Sequence, residues 1–281
     1  MPSTSLSFTS TSVPAEAKTW FAALIEREPV ALSVIGSVTD GLIADPTRYE
    51  NPRWWAGRQD DSVVAAYMHT PPHALHIGLS TAEQARGLAA HLAATGYRPP
   101  AVGGVREPAE GFADAWTRLT GAHATTVMEF GTFDLPARPR MPFAVRGRFR
   151  LAGADDLDLV DAWAHDFHVE ALPDSPAQAA SMAAHLADDR VGLWVVDDEP
   201  VSMAYASQAN GGVTRVSGVW TPPTLRGNGY ASAVVAALSN DRMDRGERCM
   251  LYTDLANPTS NAIYQALGYR RIGDSVTIRF T

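Results

Sequence analysis

A chain of 281 residues, 46% hydrophobic and 19% charged, has apolar surface for two hydrophobic cores of ordinary size and too little charge for a disordered protein. A formal net charge of -8, with no long run of Lys and Arg, excludes a protein that coats nucleic acid or an acidic membrane, since both need a positive field over a sizeable face. One cysteine, Cys249, excludes an internal disulfide framework and a CxxC metal site, and no metal is expected.

The first twenty residues hold no basic segment followed by an apolar stretch, and no window approaches the length that spans a bilayer, so a soluble, cytoplasmic protein is expected. The first dozen residues, rich in Ser and Thr, are expected to fray or to form a short strand. Ala17, Trp20, Phe21 and Leu24 recur at helical spacing over 15–27, and a weaker helical stretch covers 32–42. Segments 54–56, 63–67 and 74–78 predict three short strands parted by the turn pairs Gln59-Asp60 and Pro71-Pro72. A helix over 81–95 is capped by Ser80 or Thr81, with an acid at Glu83, and closed by Gly96. A strand at 102–105, a helix over 110–119, and a strand pair or one long bent strand over 125–135 complete the first half. Residues 136–142, with Pro136, Pro139 and Pro142 and basic residues between them, break every periodicity and form the best linker. The arginines 138, 140, 146, 148 and 150 are expected on this solvated linker and a strand edge.

Beyond the linker the same order of elements returns. The pattern predicts a strand at 149–151, helices over 155–167 and 175–186, strands at 191–196, 202–206 and 214–220, a helix over 230–245, a strand at 250–253, a short helix over 260–267 and a last strand at 275–280. This repetition predicts an α/β (α+β mixed-sheet) chain with two tandem domains, residues 1–137 and 143–281, each a central, mostly antiparallel twisted sheet flanked by helices.

The chemistry concentrates after the strand at 214–220. Prolines 222 and 223 end that strand, and Gly227 and Gly229 remove side chains where the chain turns into a helix. Such a turn directs several backbone N–H groups into one concavity at a helix N-terminus, a site suited to a pyrophosphate, with Arg226 as a charged donor at its mouth. An ordinary tight turn has the same Gly-x-Gly. The full dinucleotide fingerprint and a phosphate-loop lysine are both absent.

Arg226-x-x-Gly229-x-Ala231 resembles the Gln/Arg-x-x-Gly-x-Gly/Ala motif of the GCN5-related N-acetyltransferase superfamily, and residues 255–269, from Leu255 to Tyr269, resemble its second signature in the family's order and spacing. The likeness covers about residues 145–281; the first half matches in element order only. The resemblance implies two acyl-CoA N-acyltransferase-like domains and acetyl-CoA as cofactor. It implies that Val219 and Thr221 offer backbone groups to the pantetheine arm, and that Arg226, Gly227, Asn228, Gly229, Tyr230 and Ala231 hold the pyrophosphate. It places Asn257 and Asn261 near the cofactor arm, with a helix-terminal hydrogen bond an equal alternative for Asn261. Tyr264 would protonate the departing thiolate, or else pack its short helix on the sheet.

The strand of residues 215–220 offers no carboxylate where many relatives place a Glu base. His168 and Glu170, in what is expected to be a connection overhanging the acceptor side, are the candidates, with Asp254 as a third. Cys249 has no evident histidine partner and is expected to be a buried structural thiol. In the first half no Arg-x-x-Gly-x-Gly/Ala precedes the helix at 81, and Glu83 would repel a pyrophosphate, so that half is expected to keep the scaffold without the cofactor. Trp54 and Trp55 could line an acceptor cleft or pack a core. The implied reaction is transfer of an acetyl group to a primary amine of a small molecule or peptide, with monomer and homodimer both open. The alternative is a non-catalytic CoA-binding sensor or structural protein. A nicotinamide oxidoreductase is disfavoured by the incomplete glycine fingerprint.

Overall fold

The computed structural model describes residues 6–141, 143–171 and 181–281. Residues 1–5, Pro142 of the expected linker, and the start of the helix expected at 175–186 lie outside them. Strand β1 (Leu6–Thr11) leads into α1 (Pro14–Arg27), which opens on a proline whose missing N–H is no loss in a first turn and buries Ala17, Phe21 and Leu24 on one stripe. Helix α2 (Ser33–Ala44) precedes a meander of β2 (Arg53–Gln59), β3 (Ser62–His69) and β4 (Leu75–Ile77). Helix α3 (Ala82–Thr95), β5 (Ala101–Val105) and α4 (Arg106–Thr120) follow. Helix α4 starts four residues before the expected Glu110. Its Pro108 sits in the first turn, where an N–H has no intrahelical acceptor and its loss costs nothing. Strand β6 (Ala124–Asp134) is one continuous strand.

The second run comprises β7 (Arg148–Leu151), α5 (Leu157–Ala171), α6 (Ala183–Ala187), β8 (Val191–Val196), β9 (Glu199–Ala206), β10 (Val213–Trp220), α7 (Tyr230–Asp244), β11 (Arg248–Asp254), α8 (Pro258–Ala266) and β12 (Arg270–Phe280). The order strand, two helices, three strands, helix, strand, helix, strand therefore occurs twice.

Two compact units result: Met1–Phe130 with Gly273–Thr281, and Gly131–Ile272. The boundary falls a few residues before the proline-rich 136–142, and the end of the chain goes to the first unit, which a linear division at that linker does not anticipate. Within the first unit β1 to β4 pair antiparallel in chain order, β4 pairs parallel with β5, and β5 pairs antiparallel with β12. Within the second, β7 to β10 pair antiparallel in chain order and β10 pairs parallel with β11. The end of β6 lies beside β11: the Leu135 N–H donates to the Cys249 carbonyl at 3.0 Å, and Arg248 donates to both carboxylate oxygens of Asp134 at 2.7 and 2.9 Å. The end of β6 thus belongs to the second unit, and most of β12 to the first.

Adjacent Trp54 and Trp55 point to opposite faces of β2, as the period of two requires. Trp55 joins Tyr67, Leu88, Phe112 and Trp116 on the α3–α4 face; Trp54 joins Phe21, Leu24, Ile35 and Leu42 under α1 and α2. At 0% and 2% exposure these rings are core, the second of the two expected alternatives, and do not line a cleft. In the second unit Val216, Val234, Leu238, Leu251, Tyr264 and Tyr269 fill one face of the sheet, and Val160, Leu193, Met203 and Trp220 fill the other. Arg146, just before β7, and Arg148 and Arg150 within it meet Asp197, Asp198 and Asp156 at 2.6, 2.8 and 2.6 Å, so these three arginines of the basic cluster are each paired with a carboxylate. Among the described residues no helix is long and apolar enough to cross a membrane, and no cluster of three His, Cys, Asp or Glu side chains could hold a metal.

Candidate functional site

Strands β10 and β11 pair over only Val213–Arg215 and Arg248–Met250, although β10 runs on to Trp220 and β11 to Asp254. The cause lies in β10. Its register against β9 shifts between Ser217 and Trp220, around Gly218 at φ 56°. A Cβ there would lie 1.8 Å from the Tyr205 ring, so only glycine fits. A bulge bends its strand and increases the local twist. The β11-facing edge of Val216–Trp220, with Val219 in the bulge, is left without a strand partner among the described residues.

Past Trp220 a 3-10 turn at Pro223–Leu225 leads to Gly227 and Gly229, both in the left-handed region at φ 83° and 80°. Gly229 is the N-cap of α7 and offers it no side-chain acceptor. The first N–H groups of an α-helix have no intrahelical partner, so the end formed by Tyr230 and Ala231 keeps unsatisfied donors and the positive end of the helix dipole. The Asn228 side chain serves the loop itself, donating to the Leu225 carbonyl at 3.0 Å.

Arg226 does not extend over this helix end. Its side chain folds back over β10: Nε donates to the Thr221 carbonyl at 3.0 Å, the guanidinium lies 5.0 Å from the centre of the Trp220 ring, and Nη2 donates to Glu170 at 2.8 Å. The Thr221 side chain is buried against Ser202, with 2.9 Å between the hydroxyls. Glu170 and His168 sit in the last turns of α5 and not in a connection, because no breaker precedes Pro173 and the helix runs on to Ala171.

On α8, Asn257 is the N-cap and its Oδ1 accepts the Ser260 N–H at 3.0 Å. Asn261 donates through Nδ2 to the carbonyls of Asp254 and Asn257 at 3.0 and 2.9 Å, while its Oδ1 is buried with no donor. Tyr264, three residues on and hence on the same helix face, is buried, with its ring edge-on to Tyr269 at 6.0 Å. Burial pushes its phenol up to about 12, so it holds its proton at neutral pH. The Asp254 carboxylate accepts the Ala256 N–H at 2.8 Å and shapes the β11–α8 turn. Cys249 is buried beneath α7 and its thiol is pushed up to about 12, chiefly by desolvation, which leaves it protonated and unreactive as a nucleophile.

A family model described as FR47-like protein matches residues 191–278, the stretch that holds β8 to β12 and all of these loops. In three dimensions the chain is similar to a GCN5-related N-acetyltransferase from Sphaerobacter thermophilus, with a TM-score of 0.61, 15% identity, and coverage of 97% of this chain and 95% of that one. The fold is that of the GCN5-related N-acetyltransferases. A GNAT-family acetyltransferase from Colwellia psychrerythraea has a TM-score of 0.60 at 11% identity, with 98% of each chain covered. A tandem GNAT protein from the clavulanic acid biosynthesis pathway has a TM-score of 0.54 at 13% identity, covering 99% of this chain and 98% of that one. No curated protein matches the chain.

The first unit repeats the acetyltransferase element order with the opening closed. Its β4 pairs with β5 along its whole length, Leu75–Ile77 against Val102–Gly104. The two backbones meet there, since a Cβ on Gly104 would lie 2.3 Å from the Ile77 carbonyl oxygen. Only Gly78–Thr81 separates β4 from α3, against Thr221–Gly229 between β10 and α7 in the second unit. Helix α3 caps itself: the Gln84 N–H donates to the Thr81 hydroxyl at 3.2 Å, and the Gln84 side chain accepts the Thr81 N–H at 2.8 Å. Gln84, not the expected acid Glu83, completes this box.

Proposed function

We propose that the second unit is an N-acyltransferase that takes an acetyl group from acetyl-CoA and passes it to a primary amine of a small molecule or peptide. The observation that carries this reading is a bulged strand parting from its parallel neighbour and running directly into an uncapped helix N-terminus, with Arg226, Gly229, Ala231, Asn257 and Tyr264 at the matching motif positions. The residues present suit the cofactor. The N–H groups at Gly227–Ala231 suit a diphosphate, and the backbone of Val219 and Thr221 suits the amide-bearing arm. The buried, donorless Oδ1 of Asn261 suits an amide N–H. Asn257, whose oxygen already caps α8, contributes less to that arm than Asn261.

The cofactor supplies an activated acyl thioester. Tyr264 keeps its phenol protonated and is the group we assign to protonate a thiolate leaving group, help of the kind worth roughly 10²–10⁴-fold. No carboxylate stands on β10, so the acceptor nitrogen arrives already neutral or loses its proton through water. The first unit, with β4 and β5 in contact and α3 self-capped, is scaffold in this reading and takes no cofactor.

A non-catalytic CoA-binding protein is the second reading, favoured by the missing carboxylate. Thiol release from acetyl-CoA, followed against a panel of small amines, amino acids and peptides with free N-termini, separates the two. The acyltransferase reading expects turnover with at least one amine, and a fall of about 10²-fold in the saturating rate for Tyr264→Phe with acetyl-CoA affinity retained. Tight acetyl-CoA binding with no amine turned over supports the binding reading.

A further inference from the structure

The Arg226 side chain joins three separate pieces of the second unit. Its own loop carries it, Trp220 and Thr221 at the end of β10 take its ring contact and its Nε, and Glu170 at the end of α5 takes Nη2. Among the described residues Glu170 is the one carboxylate within ion-pair distance of it. Helix α5 and β10 already share a core through Val160 and Trp220, so Glu170 reaches Arg226 from a fixed platform. Few other contacts hold the loop: the turn bonds Leu225 to Pro222 and Arg226 to Pro223, the Asn228 side chain, and the side chains of Phe143 and Val145 against Gly229. Its shape also rests on two glycines in the left-handed region. Such a segment loses much conformational entropy when it is fixed around a ligand. An ion pair between exposed groups contributes little by itself, but a guanidinium also stacked on an aromatic ring and bonded to a carbonyl is already placed, and the carboxylate then fixes it further.

Resting on the acyltransferase reading, we propose that Glu170 is a positioning residue for the cofactor loop: it holds Arg226 as a staple across α5, β10 and the loop, so that the diphosphate is received by the backbone N–H groups of Gly227–Ala231 in a shape set before binding. Glu170 therefore touches neither the acceptor amine nor the acyl group, and it is not the general base. Its carboxylate is already engaged by Arg226.

The test is calorimetric titration of the full chain with acetyl-CoA for the parent, Glu170→Gln, Arg226→Ala and the double variant, beside thermal melting and the slow hydrolysis of acetyl-CoA at saturation. Glu170→Gln is expected to raise Kd about 3- to 10-fold with unchanged melting and an unchanged saturating hydrolysis rate and pH profile. The double variant is expected to bind no more weakly than Arg226→Ala alone, because both changes open the same staple. Unchanged or tighter binding by Glu170→Gln overturns the assignment, as does a loss in the saturating rate or of the acidic limb of its pH profile, which would mark a base. A folded parent that binds no acetyl-CoA overturns the acyltransferase reading and this assignment with it.

Discussion

Gly218 shows how much of the site depends on one residue. Its φ of 56° is costly for an L side chain, and the Tyr205 ring occupies the space a Cβ would need. Gly218→Ala is expected to lose about 2–4 kcal/mol of stability, from backbone strain and the displaced ring together, and to weaken acetyl-CoA binding as the bulge is lost. Chemical denaturation of the two proteins beside a cofactor titration checks both. In the sequence Val216, Gly218 and Trp220 alternate with Arg215, Ser217 and Val219 as in any regular strand. A lone glycine inside that pattern was the available signal of a bulge. The loop glycines were legible because a motif fixed their spacing. The fold-back of Arg226 was not, since its direction is set by Glu170, 56 residues earlier in the chain.

At the scale of elements, α3 and α7 occupy the same place in the two runs and differ at their N-termini. Helix α3 satisfies its own donors through Thr81 and Gln84, whereas α7 begins at a glycine that satisfies none. Thr81→Ala is expected to lower stability by about 1 kcal/mol and to leave acetyl-CoA affinity unchanged, as measured by thermal melting and calorimetry. The apolar periodicity located nearly every helix and strand, but the ends moved where local chemistry is permissive. Pro108 is tolerated in the first turn of α4, and α5 continues through His168 and Glu170 because no breaker stops it. That extension took both residues out of the expected overhanging loop.

For the whole molecule, the repeated element order was legible because each run carries the same succession of periods. The place of β12 in the first unit was not, since it has the alternation of any half-buried strand, whichever sheet it joins. The two runs share a fold and differ in one opening: β10 parts from β11 after three pairs, while β4 stays paired with β5 to its end. The most direct test of this asymmetry is calorimetric titration of the full chain with acetyl-CoA, read for stoichiometry and repeated with Arg226→Ala. One equivalent bound per chain, with affinity reduced in the Arg226 variant, is the predicted result. Two equivalents per chain, or no binding by folded protein, would contradict it.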